Sequence, residues 1–360
     1  MDSLDGLRGF AALIVVFSHT SNAGMFFIPF LDLRGIGKSG VFLFFLLSSF
    51  LLTLPLLKKG REVLKFPVMS HYWQRRFFRI YPLYSIYLLL AALSTLVMSG
   101  VGIPFALDWY GLLNHLILQE GKGVTWSIAV EFKFYFILPI FVFGIVLIRN
   151  YGHGALLFLF FVLLVLSQLV LPQSESTTND ARLLPYMPIF IIGIFLAVLQ
   201  DYINTRKNKP KYITLLLRCM GYVGVGGVVL MTPLVFSMFG DNVPNNFFHK
   251  QFILYSVFWS LVILSAVNVE GLIKRFFTLK FLRFYGAVSF SLYLFHVIFI
   301  GAFNKIELNG YISAYGVLLG STVAAYISFR LLESPVSKYK LSQSSMKSIA
   351  DITRRFTRPK

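Results

Sequence analysis

Residues 40–57, GVFLFFLLSSFLLTLPLL, form eighteen consecutive positions without a charged side chain. A run this long and this apolar is typical of a helix that crosses the ~30 Å hydrocarbon core of a bilayer, which takes ~20 residues. Backbone N–H and C=O groups in that layer must be paired inside the protein, and a helix pairs them all locally. The run therefore predicts a transmembrane helix.

Nine other stretches of the chain follow the same pattern, and together they predict an all-α integral membrane protein of about ten transmembrane helices. The predicted spans are 7–20, 40–57, 80–99, 126–148, 155–171, 183–199, 212–239, 252–267, 284–303 and 311–332. The segment 105–119 is shorter and is interrupted by Asp108 and His115, so we expect an interfacial or re-entrant piece there. We expect one transmembrane domain over residues 1–337 and a basic tail over residues 338–360.

The composition excludes most other classes of protein. Hydrophobic residues make up 57% of the chain and charged residues 13%, at a mean hydropathy of +0.73, which lies outside the range of ordinary soluble domains. The net charge of +18 comes from short loops beside apolar spans, so it predicts no nucleic-acid partner. The single cysteine excludes an internal disulfide, and no metal-type spacing is present. The acidic N-terminus does not resemble a removable signal peptide, so we expect the first helix to be retained.

The distribution of basic residues predicts the orientation. Cytoplasmic loops of membrane proteins carry an excess of Lys and Arg. If the N-terminus is inside, the inner loops and the tail hold twenty-three of these residues and the outer loops hold six. We therefore expect both termini in the cytoplasm, and we expect the protein to reside in a bacterial inner membrane.

Arg8 and His19 are the informative residues of the first span. Ionisable side chains at membrane depth are costly, so each of them is a functional candidate. Eleven residues at ~100° each bring both side chains to one helix face, ~16 Å apart along the axis. Arg8 would then lie at the cytoplasmic mouth and His19 about three turns deeper.

Two other groups are predicted at a depth similar to that of His19. His296 lies twelve residues into the ninth span, and Glu131 lies five residues inside the outer end of the fourth. An imidazole titrates near neutrality and a carboxylate can hold its tautomer, so this combination suits general-base catalysis. We predict His19, Glu131 and His296 as catalytic residues.

A cluster of arginines is predicted at the inner surface. Guanidinium groups bind phosphates in a bidentate manner, so Arg8, Arg75, Arg76 and Arg79 are candidates for a phosphate-bearing ligand. Positive-inside anchoring explains the last three equally well. Elsewhere the structural interpretation is favoured: pairing with Glu333 or snorkelling for Arg330, pairing or snorkelling for Lys133 and Arg218, and close helix packing for the glycines of residues 221–227.

Several short motifs occur in an order that resembles the membrane acyltransferase family 3. They cover nearly the whole chain: 4–9 (LDGLRG) with Arg8 and His19, 40–45 (GVFLFF) with 48–50 (SSF), 75–82 (RRFFRIYP), 126–131 (WSIAVE) with Tyr135 and Pro139, 291–296 (SLYLFH) and 333–335 (ESP). The family usually has Gly at the position of Ser49, so the packing of the second helix is expected to differ.

The resemblance implies a fold and a reaction. It implies an acyl-coenzyme A donor, most often acetyl-CoA, on the cytoplasmic side, and transfer of the acyl group to a hydroxyl of a glycan or lipid-linked sugar. Arg8 and the three arginines of residues 75–79 would hold the coenzyme's phosphates, and His19 would act as general base or carry the acyl group. Glu131 or His296 would orient His19 or help to bind the acceptor.

Two other functions are compatible with the same residues. The polar side chains would line a translocation path in a non-enzymatic exporter of polysaccharide or lipid. Alternatively, the chain would relay acyl groups to a separate extracytoplasmic transferase. The acceptor, the length of the acyl chain and the oligomeric state stay open, because no motif reports the shape of the pocket.

Overall fold

A computed structural model describes residues 2–97, 107–170, 172–205, 210–241, 243–306 and 308–335. The described residues form helices and loops and no strand. The helices are α1 Asp2–Asn22, α2 Gly37–Leu57, α3 Phe66–Val97, α4 Trp109–Leu116, α5 Thr125–Ile148, α6 His153–Val170, α7 Met187–Thr205, α8 Lys211–Leu230, α9 Pro233–Met238, α10 Phe252–Asn268, α11 Leu272–Phe277, α12 Lys280–Ala287, α13 Ser289–Phe303 and α14 Gly310–Ser328.

The described helices agree with the prediction of an all-α, multi-pass membrane protein. Seven of them are long and apolar enough to cross a membrane, namely α2, α3, α5, α6, α7, α8 and α14. The bent pair α12–α13 brings the number to eight if it counts as one span. Helices α1 and α10 coincide with the two remaining predicted spans, so the count of ten, like the position of the termini, stays a prediction.

Three predicted boundaries are wrong. Helix α3 begins at Phe66, so its arginines lie on the helix and not in a loop before it. The span predicted over residues 212–239 ends at Leu230, and Pro233 starts the separate helix α9, because proline cannot continue the hydrogen-bond ladder of α8. The span predicted over residues 284–303 is two helices, which meet at an angle of 80°.

Parts of several predictions lie outside the described residues. They are the basic tail 338–360, the end of the third span at Ser99, the start of the 105–119 segment, and Arg206, Lys207 and Lys209 of the inner-loop count. The described part of the 105–119 segment is the eight-residue helix α4. The Asp108 side chain caps α4 by accepting from the Gly111 N–H, at 2.7 Å, and the helix is too short to span.

The bundle has two ends, which we name after the residues of α1 that lie there. Helix α1 runs from the Arg8 end to the His19 end, and α2 starts beside His19, since a Cβ added at Gly37 would lie 3.7 Å from the His19 Cδ2. The helices then alternate in direction. Loops 172–183 and 240–251 therefore lie at the His19 end, and α11 and α12 lie at the Arg8 end.

Glycines bring α1 into direct backbone contact with α11 and α12. A Cβ added at Gly6 would lie 1.7 Å from the Phe277 carbonyl oxygen, and one at Gly9 would lie 2.0 Å from that of Leu282. A Cβ added at Gly286 of α12 would in turn lie 2.0 Å from the Asp5 carbonyl oxygen of α1. This face of α1 is therefore closed by backbone, and the glycines of the LDGLRG motif have a packing role.

The glycines of α8 pack closely against α10, as predicted. A Cβ at Gly224 would lie 2.6 Å from the Phe258 carbonyl oxygen, and one at Gly221 would lie 2.4 Å from the Ser265 side chain. The two cations assigned to pairing also find partners, because Lys133 donates to the Ala181 carbonyl at 2.7 Å and Arg218 donates to that of Glu270 at 3.1 Å.

Ser49 stands where the resemblance predicts glycine, and the facing helix α7 supplies the missing space. The Ser49 hydroxyl donates to the Phe45 and Leu46 carbonyl oxygens, which are 3.1 and 3.0 Å away. A Cβ added at Gly193 of α7 would lie 1.8 Å from the Ser49 Oγ and 2.8 Å from the Leu46 carbonyl oxygen. Gly193 of α7 thus provides the space that the Ser49 side chain of α2 occupies.

We expect Gly193→Ala to lower the free energy of unfolding by ~1–3 kcal/mol, the usual cost of overpacking. Thermal unfolding of the purified protein in detergent measures the change. Adding Ser49→Gly should restore only part of the loss, because the Leu46 carbonyl still obstructs the methyl group. Gly144→Ala is the matched control, since a Cβ there meets nothing within 4 Å. Equal effects of the alanines at 193 and 144 would contradict the packing.

Candidate active site

The side chains of His19 and His296 meet between α1 and α13. The Nδ1 of His19 and the Nε2 of His296 are 2.8 Å apart, and the two ring planes differ by 21°. His296 is completely buried, whereas His19 is half-buried. The two imidazoles predicted at one depth are therefore neighbours, and His19 is the ring with an open side.

The hydrogen bonds assign the proton on each ring. The Nδ1 of His296 lies 3.2 Å from the Leu292 carbonyl oxygen, which can only accept, so this nitrogen donates. The Nε2 of His296 then carries the lone pair and accepts from the His19 Nδ1–H. This leaves the Nε2 of His19 as the nitrogen with a free lone pair. A backbone carbonyl thus fixes the tautomer of both rings through one chain of hydrogen bonds.

A cavity of about 70 Å³ lies between α1, α2, α3, α5 and α13. Three of the four predicted phosphate-binding residues line it, namely Arg8, Arg76 and Arg79, together with Glu131. The volume admits several water molecules. The cavity therefore has room for part of a ligand, such as a phosphate or an extended arm, and not for a whole nucleotide.

Glu131 does not make its hydrogen bonds to either histidine. Its Oε1 accepts from the Tyr135 hydroxyl at 2.6 Å and from the Ser48 hydroxyl. Both partners also line the cavity. Glu131 therefore lines the same cavity as Arg8, Arg76 and Arg79, whereas His19 does not line it.

The arginines of α3 separate into two kinds. Arg75 is exposed and does not line the cavity, whereas Arg76 and Arg79 are half-buried and do. The Nε of Arg76 is buried and has no hydrogen-bond partner among the described residues. A buried donor without a partner is costly, and an anionic ligand in the cavity would satisfy it. Anchoring alone suffices for Arg75, but it leaves the burial of Arg76 unexplained.

The cavity extends from the guanidinium groups toward the imidazole pair. Tyr293 and Ser127 line it, and their hydroxyls are 2.8 Å apart. The ring centroid of Tyr293 is 6.0 Å from that of His296 on the same helix. Tyr293 therefore stands between the cavity and the histidine pair, neither ring of which lines the cavity itself.

Glu333 belongs to the same region through an unusual turn. Residues Phe329–Glu333 form a π-helical turn at the end of α14, and the Ser291 hydroxyl donates to the Glu333 carboxylate. Such turns often occur at functional sites. Glu333 is thus held by α13 and not by Arg330, whose guanidinium lies 5.9 Å from the Tyr326 ring centroid. Of the two alternatives predicted for Arg330, pairing with Glu333 is therefore not seen, and snorkelling stays a prediction.

Comparison with known proteins gives the family of the chain. A family profile described as an acyltransferase domain, acyltransferase family 3, matches residues 1–331. The chain belongs to acyltransferase family 3. Its membrane helices are therefore those of a family 3 acyltransferase domain.

Two relatives of this family 3 chain come from Staphylococcus aureus. The O-acetyltransferase OatA of strain NCTC 8325 is 26% identical over 362 residues, which cover 94% of this chain. A protein of strain MSSA476 named "Putative O-acetyltransferase" is 24% identical over 366 residues, also 94% of the chain. The chain spans 57% of the length of each of these relatives. No solved structure matches it significantly.

Some residues of the candidate active site were given no role by the sequence analysis. Tyr135 follows Glu131 by four residues, so the helical period already puts them on one face. The roles of Ser48, Ser127 and Ser291 have no comparable signal, because a serine in a transmembrane helix usually bonds its own backbone. Contacts between helices distinguish them.

We expect both histidines to carry their proton on Nδ1, because the Leu292 carbonyl orients the chain of hydrogen bonds. Solid-state ¹⁵N spectra of histidine-labelled protein in lipid report this tautomer for each ring. His296→Ala should release His19 and add signal from its Nε2–H form. His153→Ala, which removes an exposed ring outside the site, should only delete one signal. An Nε2–H tautomer of His296 in the unchanged protein would refute the assignment.

Proposed function

We propose that the protein is a membrane O-acyltransferase that moves an acyl group, most often acetyl, from acyl-CoA to a hydroxyl of a glycan or lipid-linked sugar. The observation that supports this function best is the arginine-lined cavity, whose wall at Tyr293 lies close to the histidine pair. The O-acetyltransferase relatives of the family support the same reaction.

The donor would bind at the Arg8 end, which the excess of basic residues assigns to the cytoplasm. Arg8, Arg76 and Arg79 would hold the phosphates of the coenzyme at the mouth of the cavity. The cavity, of about 70 Å³, would hold a segment of the thin pantetheine arm and not the nucleotide. The ~16 Å between Arg8 and His19 along α1 is a distance that such an extended arm covers.

The chemical step follows from the proton positions on the two rings. The Nε2 of His19 takes the proton of the acceptor hydroxyl while the hydroxyl oxygen attacks the thioester carbonyl. The C–S bond then breaks, and the coenzyme leaves as a thiol after it takes the proton back from His19. His296 accepts the Nδ1–H of His19 throughout, so it orients the base and stabilises the imidazolium.

Glu131 acts on the donor in this proposal. Its carboxylate offsets part of the repulsion between three nearby guanidinium groups, and its bonds to Ser48 and Tyr135 tie it to α2 and α5. It therefore keeps the arginines in place when the cavity is empty. Of the two residues predicted to orient His19, His296 takes that role in this proposal, because its Nε2 is 2.8 Å from the His19 Nδ1.

An exporter and a two-component relay are the competing functions. An exporter needs a continuous polar path across the bundle. A transferase that uses the histidine pair needs only a donor and an acceptor that meet there. Because the chain spans 57% of the length of its relatives, transfer onward to a further protein or domain is an open variant of the same donor chemistry. Cleavage of acyl-CoA distinguishes both enzymatic forms from the exporter.

We expect the purified protein to release free thiol from acetyl-CoA in the presence of membrane glycolipid, and His19→Ala to reduce the rate by at least ~100-fold, the usual contribution of a general base. A colorimetric thiol assay measures the release. His153→Ala is the matched control and should keep full activity, because this ring is exposed and away from the site. Unchanged turnover in folded His19→Ala protein would disprove the role of His19.

Arg76→Gln should raise the KM for acetyl-CoA by about tenfold with a smaller effect on kcat, because it removes a charge that holds phosphate. Arg75→Gln, one residue earlier on the exposed side of α3, should change neither constant. Initial rates over a range of coenzyme concentration give both values. Equal effects of the two substitutions would mean that the arginines act only through the membrane surface.

A further inference from the structure

A second pocket lies at the His19 end, separate from the arginine-lined cavity. It has a volume of about 350 Å³ and is formed by the first turn of α2, by residues of the 172–183 loop, by residues 246–251 and by the start of α10. This size is that of a small-ligand site. We name it the loop pocket.

The lining of the loop pocket combines cations with neutral polar groups. Lys38, His249 and Lys250 line it, and none of the described residues that line it is acidic. Serine, threonine, asparagine and glutamine side chains supply further donors and acceptors, and Tyr186 and Phe252 supply aromatic surface. Polar groups beside aromatic rings suit a sugar, and the cations suit a negative charge on it.

Lys38 is held in place with donors to spare. Its Nζ donates to the Asn179 Oδ1 at 3.1 Å and lies 3.8 Å from the centroid of the Trp126 ring. An ammonium group has three N–H donors, and Asn179 takes one of them. Lys250 is fixed in the same way, since its Nζ donates to the Ser174 carbonyl at 2.5 Å.

The buried carboxylate of Asp180 offsets these cations only in part, because it is paired with Arg182. Asp180 is 5% exposed and accepts from the backbone N–H, Nε and Nη2 of Arg182, at 2.6 to 3.0 Å. Burial alone would raise the pKa of Asp180, but these hydrogen bonds outweigh it and hold the pKa below its usual range. Asp180 thus forms its ion pair with Arg182, and the loop pocket keeps an excess of positive charge.

The loop pocket is adjacent to the proposed base. Lys38 directly follows Gly37, the residue of α2 that packs against Ser18 and His19. His249 donates its Nε2–H to the Gly35 carbonyl at 3.0 Å, so the far wall is tied to the same segment. The loop pocket therefore borders the segment that packs against His19, at the end of the bundle opposite the donor arginines.

We propose that the loop pocket binds the acceptor through an anionic group, so that the substrate class is an acidic glycan or a sugar phosphate. The proposal rests on the proposed function, because the glycan bound here would be the acyl acceptor of that reaction. A carboxylate of an acidic sugar and the phosphate of a lipid-linked sugar offer the same chemistry to Lys38 and Lys250. Hydrogen bonds to ionised groups make this contact stronger than one to a neutral sugar.

The test is equilibrium binding to the full-length protein in nanodiscs of zwitterionic lipid, without any acyl-CoA. Three probes are titrated by calorimetry: a tetrasaccharide of glucuronic acid, a neutral tetrasaccharide of glucose, and glucose 1-phosphate. We expect at least one anionic probe to bind about tenfold more tightly than the neutral one, with an affinity that falls as salt rises. The preferred anionic probe tells carboxylate from phosphate.

Two substitutions locate the site. Lys250→Gln should weaken the anionic probe about tenfold and leave the neutral probe nearly unchanged, and Lys38→Gln should do the same. Lys250 is exposed, so its variant keeps the test valid if Lys38→Gln does not fold. Lys305→Gln is the matched control, an exposed lysine at the same end that does not line the pocket.

The outcomes separate this proposal from the proposed function. Equal binding of neutral and anionic probes, or a loss in Lys305→Gln as large as in Lys250→Gln, would overturn the loop pocket. Acetyl-CoA turnover that persists in that case would leave the transferase intact. Binding that follows the lysines in a protein without acetyl transfer would instead refute the transferase and keep the pocket.

Discussion

The backbone contact between α1 and the α11–α12 segment is the constraint on which the site depends. Gly6, Gly9 and Gly286 leave no space for a Cβ, so α1 can lie there in only one rotation and at one depth. The Asp2–Arg283 ion pair, at 3.0 Å, holds the same crossing at its edge. With that face closed, Arg8 faces the cavity and His19 reaches the level of His296.

The bend between α12 and α13 is the second half of that constraint. At an angle of 80°, α12 lies across α1 while α13 turns into the bundle beside it. One short segment therefore contacts both ends of the functional face of α1. A straight helix over residues 284–303 would have to give up either the glycine contact or the meeting of the histidines.

The polar residues at membrane depth follow one physical rule, which is that each needs a partner or a ligand. His296 is satisfied by Leu292 and His19, Glu131 by Ser48 and Tyr135, and Glu333 by Ser291. The buried Nε of Arg76 has no partner among the described residues. An anionic ligand in the cavity would satisfy this donor.

The two pockets complement each other in charge and in position. The arginine-lined cavity approaches the histidine pair at Tyr293, and the loop pocket lies at the other end, next to the segment that packs against His19. Both carry an excess of positive charge, although one is narrow and internal and the other is wide and formed by loops. In the proposed reaction, the donor and the acceptor therefore reach His19 without competing for space.

The sequence by itself determined the membrane class, the helices and the identity of the ionisable residues, because length and apolar character are local properties of the chain. It also placed His19 and His296 at one depth, since the rise per residue converts position in a helix into depth. Only the tertiary structure decided which side chains touch. It bent the ninth span, put Arg76 and not Arg75 in the cavity, and gave Glu131 to Ser48 and Tyr135. Those results depend on helix rotation and crossing, and these are set by contacts between residues far apart in the chain.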